Sequence, residues 1–215
     1  MSRKLVPAVV LLGAITLSAC AEDSISPFEP EVTEISAARG ERSEFSSPAK
    51  TDLSIAQIAI DEGFDELVAA LGYVDDELGA GLVDLFLFGT DQYTVFAPTN
   101  TAFENLYGLL SVVLDTEIDE ITDVPASVVL DVLFYHVAEG RRAANSVVPR
   151  NGERTITPLL GETFSVRTDG TIRDGLTGLR DDASIDAPNI SARNGIIHVI
   201  TQVIVPPSVV AALTS

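Results

Sequence analysis

The stretch YTVFAPTNTAF, Tyr93 to Phe103, changes structural type within a few residues. Thr94, Val95 and Phe96 are strand formers, and Pro98 ends the strand because it has no N–H to give to a ladder. Thr101 to Glu104 reads as a capping box: the Thr101 hydroxyl accepts from the Glu104 amide and the carboxylate reaches back. Thr99, Asn100 and Thr101 would then satisfy the first amides of a helix whose apolar stripe is Phe103, Leu106, Leu109 and Leu110. A strand meeting a helix over a polar corner suits either an active-site elbow or a structural corner. The rest of the sequence has to decide between them.

Upstream, Leu53, Ile55, Ile58 and Ala59, then Phe64, Leu67, Val68 and Leu71, follow helical spacing. Gly63 and Gly72 divide this run into two short helices. Leu82 to Phe88 is an apolar run that fits a helix or a strand. Downstream, the pattern predicts a helix over 123–140, with Pro125 in its first turn and Gly140 at its stop. The chain then turns to strands at Thr155 to Ile156 and Thr163 to Arg167, with a tight turn at Asp169 and Gly170 leading into Thr171 to Arg173. Asn189 to Ala192 and Ile196 to Val205 read as a hairpin around a type I′ turn at Asn194 and Gly195. The last strand is apolar on both faces, which predicts a central position covered on both sides. Pro206 and Pro207 close a single domain over 51–207, and 208–215 is read as a C-terminal tail.

The first nineteen residues do not belong to that domain. Arg3 and Lys4 precede an apolar run from Leu5 to Leu17 and small residues, the pattern of a secretory signal. Cys20 is the only cysteine, so no intramolecular disulfide can form. Leu17, Ser18, Ala19 and Cys20 together resemble the lipobox of bacterial lipoproteins, which implies cleavage before Cys20 and lipid attachment at it. An ordinary signal peptide with a free cysteine is the alternative. Residues 20–50 are rich in Ser, Glu and Pro with isolated apolar residues, and read as a disordered acidic tether. An anchored protein of this kind sits in the cell envelope, at the outer membrane if the organism has two.

The formal net charge is −19, and Lys50 is the only lysine beyond the signal. Binding nucleic acid needs clustered Lys and Arg, so nucleic acid is excluded as a partner. The membrane is expected to be reached through the lipid anchor only.

Catalytic patterns are scarce. His136 lies on a helix beside Tyr135, and His198 lies between Ile197 and Val199. Both read as hydrogen-bonded core residues rather than bases. A zinc site would need both rings to converge with a further ligand, and no HExxH or Cys/His cluster is present. No GxSxG occurs, and Gly79, Ala80 and Gly81 lack the third glycine of a dinucleotide loop. Asp181, Asp182 and Asp186 do not have EF-hand spacing. The expectation is no catalytic residues, no metal and no cofactor.

Three segments resemble the fasciclin (FAS1) family. Thr94 to Phe103 is similar to its first signature, Leu133 to Val137 to its Tyr-His segment, and Asn194 to Ile200 to its second signature, in the same order and spacing. The resemblance implies an α+β fold, a compact β-sandwich or wedge with several helices packed on one side. It implies a surface-associated adhesion or interaction module for a protein or polysaccharide partner, and a monomer is expected. Thr99, Asn100, Thr101, Tyr135, His136, Asn194, Gly195 and His198 would be its structural or interaction residues. Some relatives bind carotenoids, so carriage of a small apolar ligand is the alternative function, with Leu82 to Phe88 as its motivating segment. A hydrolase is the third reading. Two features depart from the family. Thr201 and Gln202 stand where an acidic-basic pair is common, and residues 73–92 look longer than usual.

Overall fold

The computed structural model describes residues 52–213. The signal peptide (1–19), Cys20 and the tether (20–50) lie outside the described residues. The helices are α1 (Ile55–Asp61), α2 (Asp65–Leu78), α3 (Leu82–Phe88), α4 (Asn100–Leu114), α5 (Ala126–Tyr135), α6 (Ala144–Val147) and α7 (Pro207–Leu213), with a 3₁₀ turn at Ile121–Asp123. The strands are β1 (Tyr93–Pro98), β2 (Val137–Glu139), β3 (Glu153–Ile156), β4 (Phe164–Arg167), β5 (Thr171–Arg173), β6 (Ala183–Ala192) and β7 (Gly195–Ile200).

The strands form one seven-stranded sheet in the order β2-β1-β7-β6-β5-β4-β3. Strand β7 is central, parallel to β1 and antiparallel to β6, and every residue in it is buried. That is what an apolar run on both faces demands. Alternation along β1 and β7 divides the core in two. Val95, Ala97, Ile197 and Val199 face α1, α2, α4 and α5. Phe96 and Ile200 face the curled half of the sheet, meeting Phe164, Val166 and Ile172. The register of β6 on β7 slips twice, between Ile185 and Ala187 and between Ala187 and Ile190. Such bulges bend a strand, and here they turn β6 from its pairing with β5 to its pairing with β7. The result is an α+β wedge with helices on one side.

Local chemistry sets the helix ends. Ser54 and Gln57 form a reciprocal capping box at α1. The Asp75 carboxylate near the end of α2 accepts from the Leu82 and Val83 amides at 2.7 and 2.8 Å, so it caps α3. The long segment 73–92 is thus the last turn of α2, a helix capped by it, and a short lead into β1.

Several expectations are corrected. Gly72 lies inside α2, because the buried stripe of Leu67, Ala70, Leu71 and Val74 continues past it. That burial outweighs a glycine penalty of about 1 kcal/mol. Helix α5 stops at Tyr135, not Gly140, because Val137 to Glu139 pair with β1. Sheet edge pairing overrides the helical pattern there. Pro125 precedes the first turn of α5 as its N-cap. The final ladder ends at Ile200, and Thr201 to Pro206 continue as a strap outside the strands, half-buried at Thr201 and Gln202 and buried from Val203 to Pro206. The segment expected as a tail contributes α7, with Val209 buried against Leu176 and Val205.

The closing hairpin also differs from the expected type I′ turn. Ala192 pairs with Gly195, so Arg193 and Asn194 form the loop, and neither they nor Gly195 has positive φ. Gly195 answers a close approach instead. A Cβ there would stand 2.2 Å from the Tyr93 carbonyl oxygen and 2.7 Å from Ile55 Cδ1.

Candidate functional site

The corner after β1 is built as a brace. Thr99, not Thr101, is the N-cap of α4, and its hydroxyl accepts from the Ala102 amide at 3.2 Å. The expected Thr101 capping box is therefore corrected: the helix begins two residues earlier, leaving Thr101 exposed on the first turn. Asn100 reaches across to the α1–α2 turn. Its Oδ1 accepts from Glu66 N at 3.2 Å, and its Nδ2 donates to the Gly63 carbonyl at 3.0 Å. No nucleophile–base pair arises here, since the capping hydroxyl and the amide are both engaged with backbone.

Tyr135 is fully buried, and its hydroxyl donates to the Thr163 carbonyl at 3.0 Å. Its ring meets Phe164 edge-on at 5.5 Å. Burial pushes its phenol well above the usual range. It ties α5 to the loop before β4 and presents nothing to solvent.

His136, just past α5, is 3% exposed. Ile204 N donates to Nε2 at 3.1 Å, so the ring proton sits on Nδ1 and is donated to the Val132 carbonyl at 2.7 Å. Burial, helped by the charge of Arg180, lowers its pKa to about 4 against the opposing pull of the Val132 carbonyl. His198 in β7 is built the same way with the tautomer reversed. Asn189 N donates to Nδ1 at 3.3 Å, and Nε2 donates to the Arg142 carbonyl at 2.9 Å. Burial lowers its pKa as well. Its ring lies 5.6 Å from Phe96, while its neighbours Ile197 and Val199 face the helices. Each imidazole is neutral, and each has both nitrogens engaged with backbone. Among the described residues, no group of three or more His, Cys, Asp or Glu gathers as a metal site would require.

Asn194 is 1% exposed and clamps three elements. Its Oδ1 accepts from Ile55 N at 2.9 Å and its Nδ2 donates to the Phe86 carbonyl at 2.9 Å. Its main-chain oxygen accepts from Tyr93 N at 3.1 Å. Asn194 and Gly195 thus lock α1, α3 and β1 onto the hairpin.

Sequence reasoning missed three further braces. Thr94 Oγ1 donates to the Gly140 carbonyl at 2.6 Å and accepts from Arg142 N at 2.9 Å. Arg141 donates to the carbonyls of Ala192 and Gly195 and to the Ser191 hydroxyl. Asp174 accepts from Val205 N at 2.8 Å, Leu176 N at 3.0 Å and Arg180 Nη2 at 3.1 Å. Arg180 also donates to the Val203 carbonyl at 2.6 Å. Beyond Thr201, whose amide still donates to the Ser184 carbonyl of β6 at 3.0 Å, the strap after β7 is held by His136, Asp174, Arg180 and the Gly175 amide. Nothing in the local sequence marks these partners, which lie 23 to 68 residues away.

Beside this braced core lies a cavity of about 720 Å³ between α4, α5, α7 and the 3₁₀ turn. Its lining is almost wholly aliphatic. Leu82 to Phe88 take no part in it: α3 packs on α1 and α2 instead.

The helix-flanked wedge and its three interlocked signatures define a domain whose buried polar groups hold backbone to backbone. The chain belongs to the Fasciclin domain family, whose family model matches residues 65–206. It is 32% identical over 204 residues to Protein sll1483 of Synechocystis sp., covering 93% of this chain and 96% of that protein. It is 31% identical to Immunogenic protein MPB70 of Mycobacterium bovis over 59% of this chain and 55% of that one. Human periostin is 31% identical over 54% of this chain, and the match spans only 12% of periostin. The fold is similar to a FAS1 domain pair from the insect cell adhesion molecule fasciclin I, with TM-score 0.52 and 14% identity over 70% of this chain and half of that one. Fasciclin domain proteins are generally non-catalytic, adhesion-related modules and are typically secreted or extracellular. No helix among the described residues is long and apolar enough to cross a membrane.

Proposed function

We propose that this protein is a secreted, lipid-anchored interaction module whose Fasciclin domain engages a protein or polysaccharide partner without chemistry. The observation that supports this is the use made of the signature polar groups. Thr99 caps its own helix, and Asn100, Tyr135, His136, Asn194 and His198 each hydrogen-bond main chain elsewhere in the domain. Nucleophilic catalysis needs an accessible nucleophile with a free base beside it, and both histidines are committed. The anchor at Cys20 and the tether 20–50 would hold the domain away from a membrane. Cross-linking on intact cells, followed by a glycan array with the purified chain, tests the reading. A specific partner in either assay supports it, and turnover lost on replacing an exposed residue without loss of fold refutes it.

A second reading, carriage of a small apolar ligand, is favoured by one observation. The aliphatic cavity of about 720 Å³ falls within the range of about 300–1,000 Å³ typical of small-molecule sites.

A further inference from the structure

We propose that the cavity between α4, α5 and α7 binds an elongated, uncharged, hydrocarbon-rich molecule of lipid type, and that it rejects the same chain bearing a carboxylate. This rests on the carrier reading and adds where the ligand lies and which chemistry it has.

The walls come from separate elements: Leu110 on α4, Ile118 in the following loop, Val132 and Leu133 on α5, Val203 in the strap and Val209 on α7. The space therefore runs between the helices and reaches core residues, rather than lying as a shallow patch on one face. Exposed Val113 and Leu179 continue the apolar lining out to solvent, at 46% and 63% exposure. Two turns of a protein helix about 10 Å across would fill roughly 850 Å³. That exceeds the cavity, so a thin chain suits it better than a partner helix.

Charge narrows the ligand further. Asp123 and Asp131 are the charged residues in the lining, and it contains no lysine or arginine. The nearest arginine in sequence, Arg180, is paired with Asp174 and bonded to the Val203 carbonyl. His136 lines the cavity, but both its nitrogens are occupied, so it offers no donor. A carboxylate entering here would meet like charge and no counter-ion, while a terminal hydroxyl could donate to Asp131.

The test compares cetyl alcohol with palmitate, chains of equal length, against the full chain by native mass spectrometry and equilibrium partition. The expected result is binding of the alcohol about tenfold or more tighter than palmitate. Val128→Phe, which pushes a ring into the cavity, should abolish alcohol binding without lowering the melting temperature. Asp131→Lys should raise palmitate affinity. Palmitate binding as tightly as the alcohol overturns the charge selection and leaves the carrier reading standing. Failure of both probes overturns the carrier reading itself. Alcohol binding unchanged in Val128→Phe places the ligand elsewhere and overturns the site. Cross-links from residues 22–50 into α7, with neither probe bound, would assign the cavity to the chain's own tether.

Discussion

Acidification should destabilise this domain well above the carboxylate range, and His136 is the group that makes it do so. Its folded pKa is about 4, against an ordinary 6.5. The folded state therefore favours the neutral ring, while the unfolded chain binds a proton from about pH 6.5 downward. The stability held by this neutral ring is present above pH 6.5, is lost as the pH drops toward 4, and changes no further below. The pKa difference corresponds to a loss of about 3 kcal/mol across that window. The geometry explains the penalty: a second ring proton on Nε2 would point at the Ile204 amide, which already donates to it at 3.1 Å. His198, also held neutral by burial, contributes in the same direction. Urea unfolding at half-unit steps from pH 7.5 to 4.5 measures the slope. His136→Gln should be less stable at pH 7.5 yet clearly flatter with pH. An NMR titration should show the His136 ring unprotonated at pH 5.5. A His136 midpoint near 6.5, or a pH slope unchanged in the variant, would refute the reasoning.

Other outcomes follow from the braces. Gly195→Ala should destabilise by about 4 kcal/mol or prevent folding, because its Cβ would meet the Tyr93 carbonyl at 2.2 Å; thermal denaturation reads this directly. Asn194→Ala strands a buried amide and a buried carbonyl and should cost about 2–4 kcal/mol by urea unfolding. Thr99→Ala should cost about 1 kcal/mol as a lost helix cap, whereas Thr101→Ala should stay within about 0.5 kcal/mol. A larger cost at Thr101 than at Thr99 would show the helix starting where the sequence pattern put it. Cys20→Ser should release the protein from the membrane fraction and abolish labelling by a clickable fatty acid.

Much of the architecture was legible along the chain because periodicity and local chemistry carry it. The strand–corner–helix at Tyr93 to Phe103, the central strand at Gly195 to Ile200 and the amphipathic helices each declare themselves within a short window. So does the apolar setting of His136 and His198, since a histidine flanked by aliphatic residues has little water to face. What the pattern missed were choices made by distant partners. Val137 to Glu139 continue a helical stripe, and only the open edge of β1 turns them into a strand. Asn194 and Gly195 look like a turn by composition, but the approach of Tyr93 and Ile55 is what requires them. Asp174, Arg180 and Arg141 carry no local signal, because the backbone groups they satisfy are brought to them by the folded sheet. The cavity is likewise a property of how α4, α5 and α7 splay over the strap. Sequence by itself settled the strand–corner–helix at Tyr93 to Phe103, the central strand from Gly195 and the apolar faces of the main helices, since those follow from near neighbours. Tertiary structure alone decided where each buried hydrogen bond ends and where space remains, since both depend on atoms far apart in the chain.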